Sequence, residues 1–154
     1  MTALAEGMKA PDFALPRDGG ETVALSDYSG QKLVLFFYPK DDTSGCTAEA
    51  RDFTELQEQF TEAGAALLGM SPDSVKKHDK FIAKYELTVP LASDEDKSTL
   101  EAYGVWVEKS MYGRKYMGVE RSTFLINEQG KIEKIWRKVK VPGHAEDVLK
   151  TVVG

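Results

Sequence analysis

A chain of 154 residues, 42% hydrophobic and 29% charged, is long enough to bury one full core, and its composition is that of a globular protein rather than a disordered or fibrous one. Its 25 acidic and 20 basic residues leave a formal net charge of −5, which argues against nucleic acid or an anionic membrane as the main partner. A single cysteine excludes an internal disulfide and suits a reducing compartment, so a cytoplasmic protein is expected.

The N-terminal stretch MTALAEGMKAPDF has no basic start and no apolar core, so no secretory leader is expected. The longest unbroken apolar run, residues 33–38, is far too short to span a membrane. Residues 11–25, PDFALPRDGGETVAL, read as a β-hairpin, with two short alternating runs flanking the turn signal Asp18-Gly19-Gly20. KLVLFFYP is a continuous apolar run that ends at Pro39, as a buried strand does. Beyond Cys46 the spacing predicts a helix with Phe53, Leu56, Phe60 and Ala63 on one face and Gly64 placed to end it.

ALLGMS, residues 66–71, reads as a second buried strand. SPDSVKKHDKFIAKYEL opens on Ser and Asp capping signals and predicts a helix with Val75, Phe81, Ile82 and Tyr85 inward. VPLASD predicts a short strand, and DKSTLEAYGV a short helix closing at Gly104. RSTFLIN and KIEKIWRK predict two strands joined by a turn at EQG. AEDVLKTVV predicts a last helix with Ala145, Val148, Leu149 and Val152 on one side. With no repeat and no linker, one domain over residues 1–154 is expected. Strands alternating with helices make it an α/β domain, with a central mixed sheet flanked by helices and an N-terminal β-hairpin.

Cys46 stands where the first strand bends into a helix. A free thiol titrates near 8.5, and the unpaired N–H groups and partial positive charge of a helix start favour the nucleophilic thiolate. Position alone leaves two readings open, a reactive centre or a small buried hydrophobe. Several chemistries fall to local spacing. A Cys-x-x-Cys dithiol is absent, because Thr43 holds the partner position. A cysteine phosphatase needs an arginine where Asp52 stands, and Arg51 is one residue off. A protease needs a histidine base, and the two histidines, His78 and His144, lie far along the chain. One thiol and two scattered histidines make a poor metal site. What remains suits attack on a peroxide, with the Thr43 hydroxyl and the Gly45 and Cys46 amides as hydrogen-bonding groups. A cation is still required.

Pro39-x-x-x-Thr43-x-x-Cys46 resembles the peroxidatic signature of the peroxiredoxins. FYPKDDTSGCTAEA is similar to the Q-type members, also called bacterioferritin comigratory proteins. The resemblance runs nearly end to end, through APDFALP, LSDYSG, GMSPDSVKKHDKF and YGVWVEKSMYGRKYMGVERSTFLIN. It implies a thioredoxin-like fold and reduction of hydrogen peroxide and organic hydroperoxides, with no cofactor. Cys46 would become a sulfenic acid, Pro39 would shield it, Thr43 would bind the peroxide and Arg121 would supply the cation. Glu49 matches a polar position that would orient Arg121. Family members of this type are often monomers, and a monomer is expected here.

Relatives keep a resolving cysteine either where Arg51 stands or, in the next helix, where Ile82 stands. Oxidised Cys46 must therefore await an outside thiol: thioredoxin first, or glutaredoxin or glutathione. Either the cycle is naturally of the one-cysteine kind or a resolving cysteine has been replaced by mutagenesis. The contrasting function is a redox-responsive binding protein or holdase with negligible turnover. Arg51 projects well off the Cys46 face, after about 500° of helical rotation, and is expected to be a surface charge. Met70 is expected in the core, Met111 and Met117 in loop packing. Lys131, Lys134, Arg137, Lys138 and Lys140 are expected to be solvated.

Overall fold

In the computed structural model, which describes residues 4–154, the chain opens on a hairpin of β1 (Ala14–Pro16) and β2 (Thr22–Ala24). The first three residues of the stretch expected to carry no leader lie outside the described residues. The apolar run forms β3 (Lys32–Phe37), and the helix around Cys46 is α1 (Ser44–Glu62), followed by Gly64. Next come β4 (Ala65–Ser71), α2 (Val75–Tyr85), β5 (Leu91–Ser93) and α3 (Ser98–Ala102). The chain ends with β6 (Trp106–Met111), β7 (Arg114–Val119), β8 (Ser122–Ile126), β9 (Ile132–Trp136) and α4 (His144–Val153).

Five strands make the central sheet, in the order β5-β4-β3-β8-β9. The pairings β3–β4 and β4–β5 are parallel, and β3–β8 and β8–β9 antiparallel, so the sheet is mixed as expected. β3 lies at its centre with Leu33 to Phe37 fully buried, which is why its sequence is unbroken rather than alternating. Its side chains still alternate between faces. Leu33, Leu35 and Phe37 join Met70, Leu100, Tyr103 and Phe124 on one side. Val34 and Phe36 join Phe53 and Phe60 of α1, Phe81 of α2 and Val148 of α4 on the other. Met70 is core, as expected.

β6 and β7 correct the sequence reading, which gave residues 106–119 no strand and put Met111 and Met117 in loop packing. They form an antiparallel hairpin outside the main sheet, with Met111 56% and Met117 50% exposed. Its two-residue turn, Tyr112-Gly113, has φ of 52° and 79°, the left-handed pair that a tight hairpin requires. A hairpin with little burial carries little apolar alternation, and its turn lacks the usual Asn or Asp. No membrane-crossing helix, long and apolar enough, occurs among the described residues.

Candidate active site

β3 delivers the chain to Tyr38, whose N–H donates to the Met70 carbonyl at 3.1 Å, and the 39–43 bend then turns it into α1. Thr43 is the N-cap, and the first helical hydrogen bond runs from the Thr47 N–H to its carbonyl at 2.8 Å. The amides of Ser44, Gly45 and Cys46 therefore have no helical acceptor. The Thr43 hydroxyl does not cap them. It donates to the Lys40 carbonyl at 2.8 Å, which leaves its oxygen as an exposed acceptor. Pro39 is half-buried at the head of the same bend.

Cys46, 2% exposed, meets Arg121, which directly precedes β8, the antiparallel neighbour of β3. Arg121 lies between β7 and β8, its carbonyl held by the Val139 N–H at 2.9 Å. Its Nη2 donates to Cys46 Sγ at 3.3 Å and its Nη1 to Glu49 Oε1 at 2.7 Å. One guanidinium thus bridges the sulfur and the carboxylate, with a separate nitrogen on each. Glu49 is 1% exposed, and its Oε2 has no hydrogen-bond partner among the described residues. Burial pushes its carboxyl up to about 7 even though Arg121 pulls the other way. Burial also works against the Arg121 charge, but Glu49 and Cys46 outweigh it and hold the guanidinium above its ordinary range.

Gly45 has a steric role that its sequence position does not reveal. A Cβ there would lie 3.1 Å from Arg121 Nη2, so the bare backbone lets the guanidinium reach the sulfur. Arg51 is exposed and Ile82 half-buried, so neither expected resolving position holds a thiol. The basic residues 131, 134, 137, 138 and 140 are exposed, as expected. The two histidines bond elsewhere than the sulfur. His144 Nε2 lies 2.8 Å from Thr123 Oγ1, and burial drives its ring down to about 4, so it is neutral at pH 7. His78 bonds Asp41 at 2.7 Å. Asp41, inside the bend, was missed by the sequence reading, because nothing in PKDDTSGC separates it from the neighbouring Asp42.

These features recur in known proteins. Residues 7–135 match the model of the AhpC/TSA family. A putative peroxiredoxin bcp of Coxiella burnetii is 52% identical over 147 residues, covering 96% of this chain and 97% of that protein. Peroxiredoxin Bcp of Bacillus subtilis is 51% identical over 146 residues, 95% and 93% of the two chains. Among solved structures, Xanthomonas campestris peroxiredoxin Q superposes with a TM-score of 0.90 at 46% identity, covering 96% of each chain. A structure of the bacterioferritin comigratory protein of that organism, described for its alkyl peroxide reduction activity, gives a TM-score of 0.90 at 45% identity, covering 96% and 97%. A thioredoxin-like sheet that sets one cysteine at a helix start under an arginine, in a chain matched along nearly its whole length, places this protein in the AhpC/TSA family, among its Bcp and peroxiredoxin Q members.

Proposed function

We propose that this protein is a thiol-dependent peroxidase that reduces hydrogen peroxide and organic hydroperoxides through Cys46, as one domain over residues 1–154. The observation that carries the reading is the bridge made by Arg121, one guanidinium nitrogen on Cys46 Sγ at 3.3 Å and the other on Glu49 at 2.7 Å. The alkyl peroxide reduction described for the Xanthomonas campestris relative supports the substrate class.

The Cys46 thiolate attacks the terminal oxygen of the hydroperoxide. An S–O bond forms as the O–O bond breaks, sulfur gives up two electrons, and the alkoxide or hydroxide leaves and takes a proton. The product is Cys46 sulfenic acid. Thr43 accepts the hydroperoxide O–H, and the Gly45 and Cys46 amides with Arg121 stabilise charge on the departing oxygen. Pro39 keeps water from the sulfur, and Glu49 aims the guanidinium. One external thiol then displaces water from the sulfenic acid, and a second releases reduced Cys46 from the mixed disulfide. Thioredoxin is the reductant proposed first, then glutaredoxin or glutathione, since Arg51 and Ile82 offer no internal thiol. A cycle that starts from a free thiol suits the cytoplasm, and a monomer suffices, because one chain supplies every group named.

Mass spectrometry of the reduced protein after one equivalent of hydrogen peroxide should show a single added oxygen on Cys46, absent from Cys46→Ser. An unmodified, still titratable thiol would refute the reading. Sustained NADPH consumption with thioredoxin and its reductase separates the enzyme from a redox-responsive binding protein, which would give one stoichiometric burst.

A further inference from the structure

The bend that carries Pro39 and Thr43 is fastened almost wholly from one side. Asp41, 8% exposed, accepts the Tyr38 hydroxyl on Oδ1 at 2.6 Å, and its Oδ2 lies 2.7 Å from His78 Nδ1. Its own N–H donates to Asp73 Oδ2 at 2.8 Å, an oxygen that also accepts the Ser71 hydroxyl at 2.7 Å. Asp42, at a φ of 60°, accepts from Lys84 Nζ at 2.8 Å and the Tyr85 hydroxyl at 2.5 Å. These partners come from the end of β4, the turn after it and α2; only Tyr38 adjoins the bend itself.

His78 is fully buried. Its Nε2 lies 2.9 Å from the Ala92 carbonyl, which can only accept, so that nitrogen carries a proton. Nδ1 then faces a carboxylate oxygen at 2.7 Å, and a proton lies between them whichever atom owns it. A buried, charge-assisted bond of this kind holds its two ends in one geometry.

We propose that His78, acting through Asp41, is a positioning residue for the peroxide. It fixes the 39–43 bend so that the Thr43 oxygen and the Pro39 ring are in place over Cys46 when the hydroperoxide arrives. The inference rests on the reading of Cys46 as the peroxidatic thiol. The terminal oxygen must meet the sulfur in line, and a shift of about 1 Å in a positioning group costs on the order of 100-fold in rate. A reducing thiol that attacks the sulfenic sulfur does not use the Thr43 acceptor. The two half-reactions therefore separate positioning from a general loss of structure.

His78→Asn keeps an amide donor where Nδ1 stands, and His78→Gln keeps one where Nε2 stands. Stopped-flow mixing of reduced protein with hydrogen peroxide, and of oxidised protein with dithiothreitol, measures each half-reaction at a temperature where circular dichroism shows the variant folded. H78Q should be oxidised at least about 10-fold more slowly with its reduction rate unchanged, and H78N should stay within about threefold of wild type in both. Tyr38→Phe removes the other Asp41 partner and should slow oxidation alone by severalfold; it decides the matter if H78Q does not fold. The proposal falls if H78Q or Y38F is oxidised at the wild-type rate, if H78N and H78Q lose equally, or if both half-reactions slow together. Wild-type protein that leaves Cys46 unoxidised would instead overturn the peroxidase reading, and the positioning role with it.

Discussion

At the scale of single residues, the site depends on how closely a guanidinium approaches a sulfur. Arg121 donates to Cys46 Sγ at 3.3 Å and is half-buried, where a charge is screened less than at the surface. Arg121→Ala should lower the second-order rate of Cys46 oxidation by roughly 100-fold, as loss of one charge-stabilising donor does elsewhere. Gly45→Ala tests the same approach from the opposite side. Its new Cβ, 3.1 Å from Nη2, must displace a guanidinium already fastened to Glu49. We expect oxidation to slow by about 10-fold, with urea unfolding close to wild type, since only the tip of one side chain moves. An oxidation rate unchanged by Gly45→Ala would show that Arg121 can reach the sulfur from elsewhere.

At the scale of elements, β4 is pressed between its neighbours and the β6–β7 hairpin is not. Gly69 in β4 pairs with Phe36 and Leu91, and a Cβ there would lie 2.8 Å from the Phe36 ring and 2.7 Å from a Leu91 methyl. Gly69→Ala should therefore destabilise the fold by about 2 kcal/mol, read from the midpoint of urea denaturation. The hairpin tip offers the reverse case. Tyr112 is 99% exposed and sits at a φ of 52°, a conformation that Asn tolerates better than Tyr. Tyr112→Asn should stabilise the protein by roughly 0.5 kcal/mol, visible as a small rise in Tm, without changing Cys46 oxidation. The contrast also explains what was legible. β3 and β4 announce themselves because both faces are buried, whereas β6 and β7 have side chains mostly in water and leave almost no pattern.

At the scale of the whole molecule, Glu49 links the site to folding stability. In the unfolded chain its carboxyl ionises near 4.5, and in the folded protein burial raises this to about 7. Between those values only the folded state keeps the proton. The stability it contributes is full below about 4.5 and is lost as pH rises through about 7. The loss is on the order of 3 kcal/mol. His144 works in the opposite sense: burial lowers it from 6.5 to about 4, so its contribution is lost as pH falls through that interval. Urea unfolding of wild type and Glu49→Gln between pH 4.5 and 8 separates the two. The stability of wild type relative to the variant should fall across this range and level off toward pH 8, and a flat difference would show that Glu49 titrates in the folded protein as it does in the unfolded chain.

Much of this protein is determined by its sequence alone. Apart from the β6–β7 hairpin, the order of strands and helices follows from burial periodicity, because residues that must leave water do so with the period of their element. The place of Cys46 at a helix start follows from the bend after an apolar strand, and the lack of an internal resolving thiol follows from a count. Arg121 was legible only through family resemblance, since an arginine before an apolar strand reads equally well as a surface charge. The tertiary structure alone decided which of these groups meet. Arg121 is 75 residues from Cys46 and His78 is 37 from Asp41, and in each case sheet pairing and helix packing bring the partners within hydrogen-bonding reach. The reason is that short-range pattern records only whether a side chain is buried, whereas a site is made by what lies on the other side of the contact. That is why PKDDTSGC shows the thiol and its helix but not that Asp41 within it is tied to a distant histidine.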